Sequence, residues 1–333
     1  MDFNMIQTTT RFSFQNWETV AKDYARQIQE QKDARITCVW DDDTARSEAW
    51  AQELGVPFEA DLDKALSRAD VDAVVVDTPT TQHKYVMVKA AKAGKHIFTE
   101  KALATTMADA REIAEAIQAS GVKFCISYPQ LTSPLVQLCK QAIDEGLLGN
   151  IHYLRFRMAH NGALAGWLPE YWYEVKVAGG GAMMDLGCHP MYVASYLLGK
   201  PARITSMFNN NHAPGGVDDN AVSVVEFENK AIAVLETGFI SPYNGNCFEL
   251  LGTEGAIVSV DGQIKMRTKD CADGWFIPDK LPAPLPMAMR MWLDGITKGT
   301  DIPFNLERAL RLTELLEQAY AADREQRVLP FSK

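Results

Sequence analysis

Asp185 and His189 stand four residues apart in the stretch Gly179-Gly180-Gly181-Ala182-Met183-Met184-Asp185-Leu186-Gly187-Cys188-His189-Pro190. On a helix that spacing puts both side chains on one face. An imidazole there can take a hydroxyl proton near neutral pH, and a carboxylate beside it can orient the ring and favour its charged form. The same pair also suits a purely structural, buried Asp–His contact. Pro190 is out of place in a helix interior, so the regular helix is expected to begin close to it. Lys101 is the other candidate, in Thr99-Glu100-Lys101-Ala102, directly after a β-rich run. A cation at a strand end can polarise a substrate hydroxyl and ease its deprotonation. The alternative is an exposed loop lysine.

Two kinds of pattern must position these residues. From Ala34 to Ile126 short β-rich runs alternate with helical stretches. The runs are Ala34–Trp40, Val71–Val76, His96–Thr99 and Val122–Ile126; the helices are Thr44–Leu54, Asp63–Arg68, Gln82–Ala93 and Met107–Ala119. That alternation predicts βαβ units and a parallel sheet covered on both faces. After about Tyr128 the pattern changes. A helix is expected over Pro134–Glu145 and a long strand over Ile151–Ala159. The glycine-rich stretch then opens a helix reaching about Leu198. β-runs follow near Ala202–Asn209, Ala221–Glu228, Ala231–Gly238, Cys247–Leu251 and Ala256–Val260, with a helix at about Leu306–Ala322. Consecutive short strands with tight turns imply an antiparallel sheet. With 333 residues, two domains are expected, since compact domains usually hold roughly 100–200 residues.

In an open parallel sheet, ligands sit beyond the C-terminal ends of the strands, here Asp41, Thr78-Pro79 and Glu100-Lys101. An acidic residue closing the second strand suits a ribose 2′-hydroxyl, and Asp42 and Asp43 behind Asp41 would repel a 2′-phosphate. If a dinucleotide binds, NAD is therefore favoured over NADP. The other reading is that Asp41–Asp43 begins a solvated loop. A glycine fingerprint is missing from the first turn: the first glycine is Gly55, and the corresponding stretch, Thr8 to Trp17, has none. Thr9, Thr10, Ser13, Asn16 or Arg11 could replace some backbone contacts to a pyrophosphate, or the loop binds none.

Composition sets the outer limits. A formal net charge of −10 disfavours nucleic acid and anionic membranes as partners. No apolar run is long enough for a transmembrane helix, and Met1 to Arg11 lacks an apolar signal core. The six cysteines are scattered, without a C-x-x-C pair, which reads as reduced thiols in a cytoplasmic setting and no metal cluster.

The motifs together resemble the glucose–fructose oxidoreductase / inositol dehydrogenase / MocA (Gfo/Idh/MocA) family. Val39-Trp40-Asp41 matches its second-strand end, and Thr78-Pro79-Thr80-Thr81-Gln82-His83 its S/T-P-x-x-x-H turn. Ala93 to Lys101 matches A-G-K-H-V-x-x-E-K, and Gly179 to His189 matches G-G-G-x-x-x-D-x-G-x-H. The resemblance implies an α/β fold: a Rossmann-like dinucleotide-binding domain, residues 1–127, and a C-terminal α/β domain, residues 128–333, for substrate binding and oligomerisation. The latter carries an open, mainly antiparallel sheet through which a homodimer or homotetramer would form. It implies oxidation of a secondary alcohol of a sugar or cyclitol, or the reverse, with NAD(P) and no metal. Lys101, Asp185 and His189 fall on the catalytic and substrate-binding positions: polariser, orienter and base. Asp41, Thr78, Pro79, His83, Glu100 and Lys101 fall on the cofactor side. Trp167 and Tyr173, with Tyr171 and Trp172, could face a sugar ring or pack beneath a loop.

Two departures stand out: the glycine-free first turn, and Ala102 where the family has proline after Glu-Lys. They leave two alternatives to a dehydrogenase. One is a cofactor-free binding, regulatory or partner-subunit member; the other is an NAD-dependent glycosidase that uses transient oxidation.

Overall fold

The structure is a computed structural model describing residues 3–9, 17–243, 245–260, 262–271 and 274–331. Its first half runs β1 (Phe3–Thr9), α1 (Trp17–Gln29), β2 (Ala34–Trp40), α2 (Thr44–Leu54), α3 (Leu62–Ser67), β3 (Ala73–Asp77), α4 (His83–Lys92), β4 (His96–Thr99), α5 (Met107–Ser120) and β5 (Phe124–Ile126). All five strands are parallel, in the order β2-β1-β3-β4-β5. Ala73 to Val76 are fully buried, as expected for a strand covered on both faces. The parallel arrangement brings the ends of β2, β3 and β4 to one edge, and with them Asp41, Asp77 and Lys101.

The second half runs α6 (Pro134–Asp144), β6 (Ile151–Ala159), α7 (Gly162–Ala165), α8 (Val175–Ala178), a π turn (Met183–Gly187), α9 (Cys188–Leu198), β7 (Pro201–Asn209), β8 (Asn220–Phe227), β9 (Ile232–Gly238), β10 (Asn246–Gly252), β11 (Gly255–Val260), β12 (Gln263–Thr268), α10 (Ala288–Thr297), α11 (Leu306–Glu325) and β13 (Leu329–Pro330). Its eight strands form one sheet, β12-β11-β10-β6-β9-β8-β7-β13. Every pairing is antiparallel except β6 with β9. Alternation decides the faces: Ala221, Ser223, Val225 and Phe227 are buried while Val222, Val224 and Glu226 are half-exposed. One face is thus covered, and the other stays open.

The boundaries expected from the sequence hold to within a few residues for most elements. The expected elements do not include β1, α1, α7, α8, β12, α10 or β13, although Met289, Trp292, Leu293 and Ile296 of α10 carry the helical i, i+3, i+4, i+7 spacing. Helix α10 returns to the first sheet. Its Trp292 packs on Phe98, 5.6 Å between ring centroids, and Tyr24 of α1 meets Phe98 edge-on at 5.1 Å. Arg290 binds Asp33 through both terminal nitrogens. These contacts fix the floor of β4, on which Glu100 and Lys101 stand.

Candidate active site

The glycine run exists for packing. Gly179 has φ +81°, a conformation side chains rarely adopt. A Cβ at Gly181 would lie 2.1 Å from the Asp218 carbonyl oxygen. Asp218 itself accepts from the Gly181 and Met183 N–H groups at 2.9 and 2.7 Å and from the Tyr320 hydroxyl at 2.8 Å. It therefore pins the entry to the π turn, and burial raises its carboxyl to about 6.

The π turn sets the positions of the two leading residues. Asp185 lies inside it, whereas His189 is the second residue of α9, so regular helix does begin beside Pro190, as expected. Pro190 has no N–H to offer the carbonyl five residues back. That carbonyl, of Asp185, instead accepts from Lys101 Nζ at 2.8 Å, and the Asp185 carboxylate accepts from the same nitrogen at 2.9 Å. Both side chains are only 14 and 13 % exposed. Lys101 also lies 5.9 Å above the Trp172 ring. The Lys101–Ala102 peptide is cis although residue 102 is not proline.

Asp185 does not pair with His189, which corrects the expectation from their spacing. The wider π turn carries the carboxylate to Lys101, and the His189 ring is held by Tyr192 instead, with Nδ1 2.7 Å from its hydroxyl oxygen. Burial works against the charge on Lys101, but Asp185 and Glu100 outweigh it and hold the ammonium above the usual lysine range. Burial and the Lys101 charge push His189 well below the usual histidine range. The lysine is thus a charged donor and the histidine a neutral imidazole.

A cavity of about 330 Å³ opens beside the ion pair. Asp77, Thr78, Pro79, Thr80, Glu100, Lys101 and Asp185 line it, together with His160, Trp167, Tyr171 and Trp172. His189 is nine-tenths buried, within reach of the Lys101 charge. Tyr173 does not reach the cavity: its carbonyl packs against Gly215, and its ring joins the cluster around Ala213, Val217 and Phe239. Tyr171 and Trp172 occupy the wall instead. Nor does His83 line it. Its ring is fully buried between the carbonyls of Thr78, 2.9 Å from Nε2, and Leu103, 3.2 Å from Nδ1, and its single N–H donates to one of them. Burial outweighs those carbonyls and lowers it to about 4.

Glu100 accepts from the Tyr24 hydroxyl and from the Lys101 N–H at 3.1 Å. Asp41 is buried at the end of β2, apart from the cavity lining, with its carboxylate accepting the Asp43 N–H at 2.9 Å. Residues 10–16 and the Thr9 side chain, which include the expected stand-ins for a glycine loop, lie outside the described residues.

Sequence reasoning missed Asp77, His160 and Tyr192. Asp77 ends β3, so the strand-end rule would have found it, and Tyr192 sits i+3 from His189 on α9. Buried Asp77 Oδ2 and Thr78 Oγ1 lack hydrogen-bond partners at the cavity wall. Orphaned polar atoms at a strand end suit a polar ligand such as the nicotinamide ribose or carboxamide. Among the described residues no cluster of metal-binding side chains occurs, and no helix is long and apolar enough to cross a membrane.

Comparison with known proteins agrees with this geometry. Residues 18–128 match the oxidoreductase family with an NAD-binding Rossmann fold, and residues 136–258 match the GFO/IDH/MocA C-terminal domain. The scyllo-inositol 2-dehydrogenase (NAD(+)) of Bacillus subtilis is 30% identical over 234 residues, 67% of this chain and 66% of that protein. A 2,7-anhydro-N-acetylneuraminate hydratase of Mediterraneibacter gnavus is 30% identical over 70% of this chain and 62% of its own length. The chain thus spans slightly under two thirds of these relatives. Among solved structures, levoglucosan dehydrogenase in complex with NADH and L-sorbose superposes with a TM-score of 0.86 over 99% of both chains at 18% identity, a likeness of fold. An NAD binding oxidoreductase from Klebsiella pneumoniae gives 0.84 over 100% of both chains at 22% identity. With both halves matched, and with the ion pair and histidine set at the mouth of a Rossmann sheet, the chain belongs to the Gfo/Idh/MocA oxidoreductase family.

Proposed function

We propose that the chain is an NAD-linked oxidoreductase acting on a secondary alcohol of a sugar, sugar derivative or cyclitol. One observation carries this: Lys101 and His189 lie close together with their protonation driven in opposite directions, the lysine held charged and the imidazole held neutral. Environments that separate two titratable groups in this way assign a donor and an acceptor. Lys101 Nζ would donate to the substrate oxygen and stabilise the developing alkoxide. His189 Nε2, the nitrogen left over from the Tyr192 contact, would take the hydroxyl proton. Asp185 holds the ammonium in place and offers an acceptor to a neighbouring hydroxyl. A nicotinamide held there would supply the hydride acceptor. Thr78, Pro79 and Glu100 would hold its near end, and Trp167, Tyr171 and Trp172 give the apolar wall that a sugar ring needs.

Asp41 supports NAD over NADP, because its carboxylate and those of Asp42 and Asp43 behind it would repel a 2′-phosphate. Residues 1–127 would form the dinucleotide half and 128–333 the substrate half, with α10 braced back against the first. The open face of the eight-stranded sheet supports a homodimer or homotetramer: half-exposed Val222, Val224 and Val234 adjoin the Arg155–Glu236–Arg157 network. The six free cysteines fit a reducing, cytoplasmic setting.

The hydratase relative favours a second reading, in which NAD oxidises the substrate transiently and is regenerated after elimination. Titration with NAD, NADH, NADP and NADPH, followed by a panel of sugars and inositols, tests both. Net NADH supports the dehydrogenase, and product without net NADH supports transient oxidation. Failure to bind any of the four nucleotides would refute both.

A further inference from the structure

A second cavity, of about 420 Å³, lies between α9 and the start of α11. Tyr128, Tyr192, Tyr196, Glu307 and Arg308 are among its walls. Tyr192 belongs to both regions, since it lines this cavity and its hydroxyl touches His189 Nδ1. We propose that Tyr192 relays the alcohol's proton from His189 into the α9–α11 cavity and so to solvent. The proposal rests on the oxidoreductase reading above.

The need for a relay follows from the surroundings of His189. Buried beside a charged lysine, the ring is a poor place to leave a second proton. As Nε2 takes the hydroxyl proton, Nδ1 must release its own. A carbonyl at Nδ1 could accept a hydrogen bond but could not pass a proton on. A hydroxyl does both. Tyr192 Oη already accepts the Gln130 N–H at 3.1 Å, which orients the phenol and leaves its second lone pair for Nδ1–H. Its own hydrogen is then free to turn toward the second cavity. The ring is held in place by stacking on Tyr128 at 4.3 Å between centroids, and the Tyr128 hydroxyl is tied to the Arg308 carbonyl at 3.2 Å. The ionisable groups acting on the phenol are Cys188, Tyr128 and Glu100. Burial, with these groups, keeps it un-ionised, so it exchanges a proton rather than holding a charge.

The step balances. The alcohol O–H breaks as Nε2–H forms, Nδ1–H breaks as a Tyr192 O–H forms, and the original phenolic proton goes to solvent. The carbinol C–H leaves with its electron pair to oxidised nicotinamide, so the alcohol becomes a ketone, the nucleotide is reduced, and one proton is released. Carbonyl reduction runs the same chain backward, with the hydroxyl turned toward Nδ1.

The test is Tyr192→Phe, which removes the hydroxyl and keeps the stacking on Tyr128. The relay predicts that Y192F loses roughly 10²-fold in kcat, with a larger solvent deuterium isotope effect, while KM and NAD affinity stay within about two-fold. Wild-type kcat and an unchanged isotope effect in Y192F would overturn the relay. If the unmodified protein binds no nicotinamide nucleotide or oxidises no polyol, the function reading falls instead. The relay is then decided by nitrogen-15 NMR of the free protein, with the His189 signal identified by its loss in His189→Asn. The relay predicts the Nδ1–H tautomer of His189 with Nε2 unprotonated, a preference lost in Y192F where Nδ1 has no hydroxyl to meet. The Nε2–H tautomer in the unmodified protein, or a tautomer unaffected by Y192F, overturns it.

Discussion

His83 and His189 are both buried, both follow the end of an element of the site, and both are driven toward the neutral form by burial. They differ in what their nitrogens meet. His83 lies between two backbone carbonyls, which accept and never release a proton, so the ring serves as a strut joining the Thr78 turn to Leu103. At His189, Nδ1 meets a hydroxyl that can accept and donate, and Lys101 supplies a charge nearby. Burial and the direction of a pKa shift therefore do not separate the structural histidine from the base proposed at His189. The partner's chemistry does.

Substitution should pull the two apart. His189→Asn is expected to lower turnover by roughly 10³-fold while leaving the unfolding midpoint nearly unchanged, because a general base contributes about 10²–10⁴. Equal loss of stability and rate would mean that His189 is a strut as well. Next comes Asp185→Asn, which leaves the buried Lys101 ammonium without its carboxylate. Breaking such a pair costs about 3–5 kcal/mol, visible in chemical denaturation, and turnover should fall with it. No change in stability would mean that solvent screens the pair.

Acid should report on His83. Its folded pKa, about 4, lies below the unfolded value near 6.5, so the unfolded chain binds the extra proton between them. Its stabilising contribution is full above pH 6.5 and is lost as the pH falls toward 4, by up to about 3 kcal/mol. Denaturation midpoints measured across that range should fall with pH, and His83→Asn should flatten the slope. At neutral pH that substitution should cost about 1–3 kcal/mol through a carbonyl left unpaired. A smaller effect still is expected at the other end of the cleft. Asp41→Ser should narrow the preference for NAD over NADP by roughly ten-fold, about 1.4 kcal/mol, in a binding titration; an unchanged ratio would remove Asp41 from cofactor choice.

The sequence exposed the residues of this comparison unevenly. The alternation of strands and helices, and the change to antiparallel runs after Tyr128, follow from hydrophobic periodicity, which is local. The exception is β6 with β9, whose parallel pairing depends on the order of strands across the sheet. Lys101, Asp185 and His189 were legible as types at suggestive spacings. Their pairing was not, because the i, i+4 rule assumes an α-helix and Asp185 sits in a π turn. For Tyr173 the sequence left open whether it faces a sugar ring or packs beneath a loop, and it packs. A short 3-10 turn (Glu170–Tyr173) sends neighbouring aromatics in different directions, and Tyr173 goes to the cluster of Ala213, Val217 and Phe239, far along the chain. Asp77 looks like an ordinary turn residue until its unpartnered oxygen is seen at the cavity wall.

The most direct test is NAD-dependent oxidation by the unmodified protein and by Lys101→Ala across the sugar and inositol panel, with NAD affinity measured in parallel. The arrangement of Lys101, Asp185 and His189 predicts NADH formation with at least one polyol. In the variant that activity should fall at least 10²-fold, with NAD affinity within about two-fold. Full activity in the Lys101 variant, or loss of NAD binding in place of turnover, would contradict it.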